Sequence, residues 1–145
     1  MSGTTGAAAS ERILATISEH LGLEGPLLPI LHAVQAEFGY VPQDAVAPIA
    51  KALNITRAEV HGVMSFYHDF RTQPVSGPVV KICRAEACQA QGGRALEAEV
   101  AARLSGATVE AVYCLGLCAN GPAAMVGDRP MAAATLDKLA AEVAR

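Results

Sequence analysis

Val79-Val80-Lys81-Ile82-Cys83-Arg84-Ala85-Glu86-Ala87-Cys88 and, after a gap of 25 residues (89–113), Cys114-Leu115-Gly116-Leu117-Cys118 decide how this chain reads. The two stretches hold its four cysteines as pairs, C-x4-C and C-x3-C. Val79 to Ile82 is a short β-rich run that ends at Cys83, and Thr108 to Tyr113 is a second that ends at Cys114. Between them a helical period runs from about Arg94 to Leu104, stacking Leu96, Val100 and Leu104; Gly92-Gly93 precedes it and Ser105-Gly106 stops it. A crossover this long joins parallel strands, and such crossovers are right-handed. Parallel neighbours end on the same edge of a sheet, ~4.8 Å apart or about twice that with one strand between. The topology therefore carries both cysteine pairs to one rim.

Downstream, Pro122 to Val126 reads as a third strand and Gly127-Asp128 as a two-residue hairpin turn. Arg129 to Met131 returns as a fourth strand, which Pro130 puts at a sheet edge. Thr135 caps a last helix with Leu136, Leu139 and Val143 facing inward. Upstream, Arg71 to Pro78 has the Pro, Ser and Gly of a linker. Before it lie four amphipathic helices. Ser10 is a plausible cap for the first, which carries Ile13, Leu14, Ile17 and Leu21. The second spans about Leu27 to Phe38, with Gly39 as its C-terminal stop. Pro42 opens the third, with Val46, Ile49 and Leu53. Thr56 and Glu59 form a capping box for the fourth, with Val60, Val63, Met64 and Tyr67. The expected fold class is α+β: a tail and helical bundle over residues 1–75, helical from about 10 to 70, then a β-α-β-β-β-α domain over 76–145.

Of the 145 residues 52% are hydrophobic, Trp is absent and aromatics are 4%, so Ala, Val, Leu and Ile must fill the interior. A net charge of -3 argues against nucleic acid as a partner, which needs a clustered basic surface. No run of about 18 apolar residues occurs, so no direct membrane insertion is expected. Met1 to Ser10 lacks the basic-then-apolar build of a secretion signal. A cytoplasmic, reducing location follows as the default, where cysteines serve as metal ligands or redox groups more often than as disulfides.

Two thiol pairs at one rim suit a [2Fe–2S] cluster passing single electrons. Four thiolates and two sulfides around two ferric ions leave a formal charge of about -2, costly to bury unless donors face the sulfurs. The backbone amides of residues 84–87 and 115–117 are the candidate donors; Gly116, and Gly121 after the pair, let the backbone turn inward. Such hydrogen bonds set the reduction potential, and Arg84 and Glu86 flank the site. The plant-type C-x4-C-x2-C pattern fails, because Gln91 stands where its third cysteine would be. Structural zinc usually takes C-x2-C knuckles, which neither pair has, and no C-x-x-C dithiol exists. A zinc-stabilised docking module and inert or disulfide-bonded thiols remain open on spacing alone.

Cys83-Arg-Ala-Glu-Ala-Cys88 and Tyr113-Cys-Leu-Gly-Leu-Cys-Ala-Asn-Gly-Pro122 resemble the cluster motifs of the thioredoxin-like [2Fe-2S] ferredoxins, the family of the 24 kDa subunit of respiratory complex I. Leu28 to Pro42 and Val60 to Tyr67 resemble that family's helical extension. The resemblance implies a thioredoxin-like second domain and a cluster on Cys83, Cys88, Cys114 and Cys118, the first pair on one iron and the second pair on the other. Within the family, C-R-A-E-A-C-Q looks most like the gamma subunit of soluble NAD-dependent, molybdenum-containing formate dehydrogenase. That implies a non-catalytic electron-transfer role beside an Fe–S subunit that binds FMN and NAD, with a molybdenum catalytic subunit in the same complex. The equivalent subunit of an NAD-reducing hydrogenase or of complex I is the alternative host. The chain lacks a G-x-G-x-x-G fingerprint, so NAD, FMN and molybdenum cofactor are expected only on partner subunits.

His20, His32, His61 and His68 are scattered and read as ordinary surface or core residues. Phe66, Tyr67 and Phe70 suit an interface or a core equally. Glu97, Glu99, Asp137 and Glu142 read as a solvated helical surface, and Pro122 as a trans proline.

Overall fold

A computed structural model describes residues 6–145. The chain divides between Pro74 and Val75 into two compact units. The expected tail falls largely on residues 1–5, which lie outside the described residues.

The first unit is four helices: α1 (Ala7–His20), α2 (Leu27–Phe38), α3 (Gln43–Leu53) and α4 (Arg57–Phe66). Helix α1 starts three residues before Ser10, with Gly6 at its N-cap; the alanines at 7–9 extend it because they have the best intrinsic propensity. Gly39 ends α2 with φ +79°, and its N–H bonds the Gln35 carbonyl. The capping box forms as read: Glu59 N donates to Thr56 Oγ1 at 3.1 Å, and Thr56 N to Glu59 Oε2 at 2.7 Å. Ile13, Ile17, Ile30, Leu31, Val34, Val46, Ile49 and Val60 make the core. Leu14 departs from the expected stripe and is 55% exposed. Phe70 packs into this core against His32, ring centroids 4.8 Å apart, whereas Phe66 is 75% exposed. Gln35 fastens the following segment to α2: its Nε2 donates to the Asp69 carbonyl and its Oε1 accepts from Arg71 N, both at 2.7 Å.

The second unit is a sheet in the order β2-β1-β3-β4, with β1 Val79–Cys83, β2 Thr108–Val112, β3 Ala124–Val126 and β4 Arg129–Met131. Strands β1 and β2 run parallel, with Cys83 opposite Val112; β3 and β4 are antiparallel to their neighbours. Helix α5 (Glu86–Ala90) and α6 (Gly93–Arg103) fill the crossover, and α7 (Leu136–Val143) closes the unit. Val80 and Ile82, alternate residues of β1, are fully buried in a core with Leu96, Val100 and Leu139 from α6 and α7. Each such side chain contributes roughly 1.5–3 kcal/mol by leaving water. Pro130 lies on the edge strand β4, where a missing N–H is tolerated. Thr135 caps α7, accepting from Lys138 N at 3.3 Å.

Two expectations are corrected here. Glu142 is not simply solvated: it takes Arg129 at 2.6 Å and Arg145 at 2.9 Å. Glu97 likewise pairs with Arg84. The Gly121–Pro122 peptide is cis, not trans, in a segment held at both ends, Gly121 N to Gln91 and Pro122 O to Ala134 N. Among the described residues no helix is long and apolar enough to cross a membrane.

Candidate metal centre

The parallel register delivers both cysteine pairs to one edge, as the strand–helix–strand reading requires. Cys83 is the last residue of β1; Arg84 N bonds the Val112 carbonyl at 2.8 Å, so the two strands are still paired where the site begins. Cys114 follows two residues after Val112. Its N–H lies 3.4 Å from Cys83 Sγ, across the gap between the two pairs.

Cys88 sits in α5, a five-residue helix that begins right after Ala85. No periodicity could have announced so short an element. It brings the Cys88 thiol within hydrogen-bonding reach of Cys83, and both are buried at 1% exposure. Ala123 is buried with them, and Ala85, Val112, Leu115 and Leu117 pack around the group. Gly93, at the start of α6, presses against this backbone: a Cβ there would lie 2.8 Å from the Cys88 carbonyl and 3.2 Å from that of Cys83.

Cys114 and Cys118 are exposed, their sulfurs 3.7 Å apart, on an irregular segment that closes with a 3-10 turn over Cys118–Asn120. Cys114 takes φ +71° and Gly116 φ +76°. Both lie in the left-handed region, sterically free for Gly but unfavourable for Cys. The resulting turns aim the amides of Cys114 and Leu115 back at Cys83.

The thiol electrostatics follow. Burial pushes Cys83 up, but the amides of Ala85, Cys114 and Leu115 and the Cys88 thiol together outweigh it and hold the group below its ordinary value. Burial pushes Cys88 up and prevails over the Ala123 amide. The Cys114 sulfur, by hydrogen bond and charge, raises Cys118. Cys88 feels the charge of Cys83 and Cys114, and Cys118 that of Cys114 and Cys88, so the four sulfurs form one electrostatic group. Donor amides from Ala85 and Leu115 fall within the expected runs. Those of Cys114 and Ala123 do not, since only the folded backbone brings residue 123 to Cys88.

All four cysteines are free thiols, which removes the disulfide reading. Among the described residues no three His, Cys, Asp or Glu side chains converge on one point suited to a single ion. The thiols meet two by two, Cys83 with Cys88 and Cys114 with Cys118. The residues present fit a [2Fe–2S] group. Three of the histidines have partners within the helical unit: His20 Nδ1 lies 2.8 Å from the Thr16 carbonyl, His61 pairs with Gln43 at 3.1 Å, and His32 packs on Phe70.

Beside the first pair, Arg84 forms a two-point contact with Glu97, Nε to Oε2 at 3.0 Å and Nη2 to Oε1 at 2.5 Å. It also hydrogen-bonds Tyr113, and the two partners, Glu97 foremost, raise its pKa. The Arg84 side chain thus ties α6 to the residue before Cys114.

Residues 10–145 match the thioredoxin-like [2Fe-2S] ferredoxins. The chain belongs to that family. Its members carry one [2Fe–2S] cluster, and the chain is accordingly an iron–sulfur electron-transfer protein. It is 29% identical over 116 residues to the NADP-reducing hydrogenase subunit HndA of Solidesulfovibrio fructosivorans, covering 73% of this chain and 68% of that one. It is 31% identical over 108 residues to an NADH-quinone oxidoreductase subunit of Pseudomonas aeruginosa, covering 68% of this chain and 65% of that one. The match thus spans just under two thirds of the Pseudomonas protein. A crystal structure of an air-oxidized NAD+-reducing [NiFe]-hydrogenase shares the fold, with a TM-score of 0.62 at 23% identity over 79% of this chain and 22% of that one.

Proposed function

We propose that Cys83 and Cys88 hold one iron of the cluster and Cys114 and Cys118 the other, and that the chain carries single electrons within an NAD-linked oxidoreductase. The observation that carries this is the meeting of the two thiol pairs at the β1–β2 edge, with the Cys114 amide on the Cys83 sulfur. When bound, the cluster supplies one-electron redox chemistry. The protein's part is to hold and orient. The Ala85, Cys114 and Leu115 amides stabilise the Cys83 thiolate, and the Ala123 amide that of Cys88; such donors tune a cluster's potential. The apolar collar of Ala85, Val112, Leu115 and Leu117 keeps water from the first pair. Cys114 and Cys118 bring the opposite side of the site to the surface, where a partner's redox centre can approach.

As host we favour a soluble NAD-dependent molybdenum formate dehydrogenase, on the strength of the C-R-A-E-A-C-Q form of the first motif. There the chain would exchange electrons with an Fe–S subunit bearing FMN and the NAD site, alongside a molybdenum-containing catalytic subunit. A second reading, the equivalent subunit of an NAD-reducing hydrogenase or of NADH:quinone oxidoreductase, is favoured by the names of the relatives. The tagged chain, purified with its native complex, tests both. Co-purifying molybdenum and formate-dependent NAD reduction are expected; nickel, or quinone reduction without formate oxidation, would refute the formate dehydrogenase host. Zinc in place of iron on the isolated chain would refute the cluster and leave the docking-module reading.

A further inference from the structure

We infer that Gln91 is a positioning residue for the cluster: its side-chain amide fastens the helix bearing Cys88 to the turn bearing Cys118, and so fixes the spacing of the two thiol pairs. The inference rests on the four-cysteine ligand set proposed above. Gln91 lies one residue past α5. Its Nε2 donates to the Ala87 carbonyl and to the Cys118 carbonyl, each at 2.8 Å, and its Oε1 accepts from Gly121 N at 3.0 Å. One carbonyl belongs to the neighbour of Cys88 and the other to Cys118 itself. The orientation of the amide is set by chemistry, since two carbonyls can only accept and a backbone N–H can only donate. One planar group thus meets three backbone partners from both cysteine segments.

A second observation is independent of the hydrogen bonds. Gly121 has φ -75° and ψ 174°, a conformation any residue adopts. Its missing side chain therefore serves space alone. A Cβ at Gly121 would lie 2.8 Å from Gln91 Nε2 and 3.1 Å from its Cδ. The backbone at 121 has the room that the Gln91 amide needs. Gln35 in the helical unit binds a passing backbone through the same pair of amide atoms, but no cysteine lies there.

The test uses the full chain carrying its cluster, with Gln91→Glu, Gln91→Ala, Gly121→Ala and the Gln91→Ala/Gly121→Ala pair. Glu keeps the shape and the acceptor but loses both donors, so it carries the comparison even if the alanine variant folds poorly. Three readouts are taken: the rate of bleaching by an iron chelator, the electron paramagnetic resonance spectrum after dithionite reduction, and amide exchange at Gly121 in the iron-free protein. Each Gln91 variant is expected to bleach roughly tenfold faster or more, the usual scale for groups that orient metal ligands, with a shifted spectrum and faster exchange at Gly121. Gly121→Ala should mimic them alone and add little in the Gln91→Ala background, because the clash has then lost its partner. Wild-type bleaching and spectrum in both Gln91 variants would overturn the inference. So would faster bleaching with an unshifted spectrum and a matching fall in melting temperature, the mark of general destabilisation. A wild-type chain that binds no iron would instead overturn the ligand set itself.

Discussion

The two cysteine pairs have the same chemistry and opposite surroundings. Cys83 and Cys88 are buried on regular elements, a strand end and a helix, under an apolar collar. Cys114 and Cys118 are exposed on an irregular segment with two left-handed turns. The dependence runs from the second segment to the first. Three of the four amides facing the buried sulfurs, those of Cys114, Leu115 and Ala123, come from the stretch that carries or follows the exposed pair. The difference teaches a division of labour: the first pair is part of the core and is built by folding, while the second segment supplies the exposed sulfurs and most of the amides that face the buried ones, enough to hold Cys83 below its ordinary value though not Cys88.

The largest expected effect tests whether the first pair is truly part of the core. Ile82→Ala, one residue before Cys83 and fully buried, should cost the iron-free protein about 2–5 kcal/mol. Leu117→Ala, half-buried beside Cys118, should cost well under that in the same chemical denaturation. Equal losses would break the contrast.

Next come the thiols themselves. In iron-free protein, Cys88→Ser places a hydroxyl in an apolar pocket and should cost about 1–3 kcal/mol, whereas Cys118→Ser should stay within about 0.5 kcal/mol. Both should lower iron content. A silent Cys88→Ser in the apo chain would mean that folding does not build the first pair. Alkylation sharpens the point without mutation. Cys114 and Cys118 should react roughly tenfold faster or more than the buried pair, which must wait for local opening; mass mapping of the labelled peptides reads the order.

How much of this was legible follows from what each element depends on. Helix α2, the capping box at Thr56 and Glu59, and the hairpin turn at Gly127-Asp128 are written in local chemistry, and the structure bears them out. Parallel β1 and β2 follow from the crossover, and with them the approach of the two pairs. Helix α5 was not legible: its five residues, Glu86–Ala90, show less than two turns of any period. Ala123 and Gln91 escaped for another reason. An alanine amide and a surface glutamine carry no signal of their own, and act only because the chain returns to them from more than 25 residues away.

The smallest effect concerns the tie beside Cys83. Arg84, by hydrogen bond first and by charge, holds the Glu97 carboxyl below its ordinary value of 4.5. A carboxylate with a lowered folded pKa stabilises above the unfolded value and loses that contribution as pH falls through the folded one. The pair should therefore contribute fully above about pH 4.5 and fade below it, with Glu97→Gln abolishing the pH dependence. At partial exposure its worth is about 0.2–1 kcal/mol, reduced by salt. A larger effect on the buried pair than on apo stability would show that the tie acts on the site.

The most direct test of the two-plus-two arrangement is the count of iron and acid-labile sulfide per chain, in wild type and in Cys118→Ser. About two of each are expected in the wild type, as the cluster formula requires, with a clear loss of both in the variant. A zinc-loaded, iron-free wild type, or a variant that keeps its full iron, would contradict it.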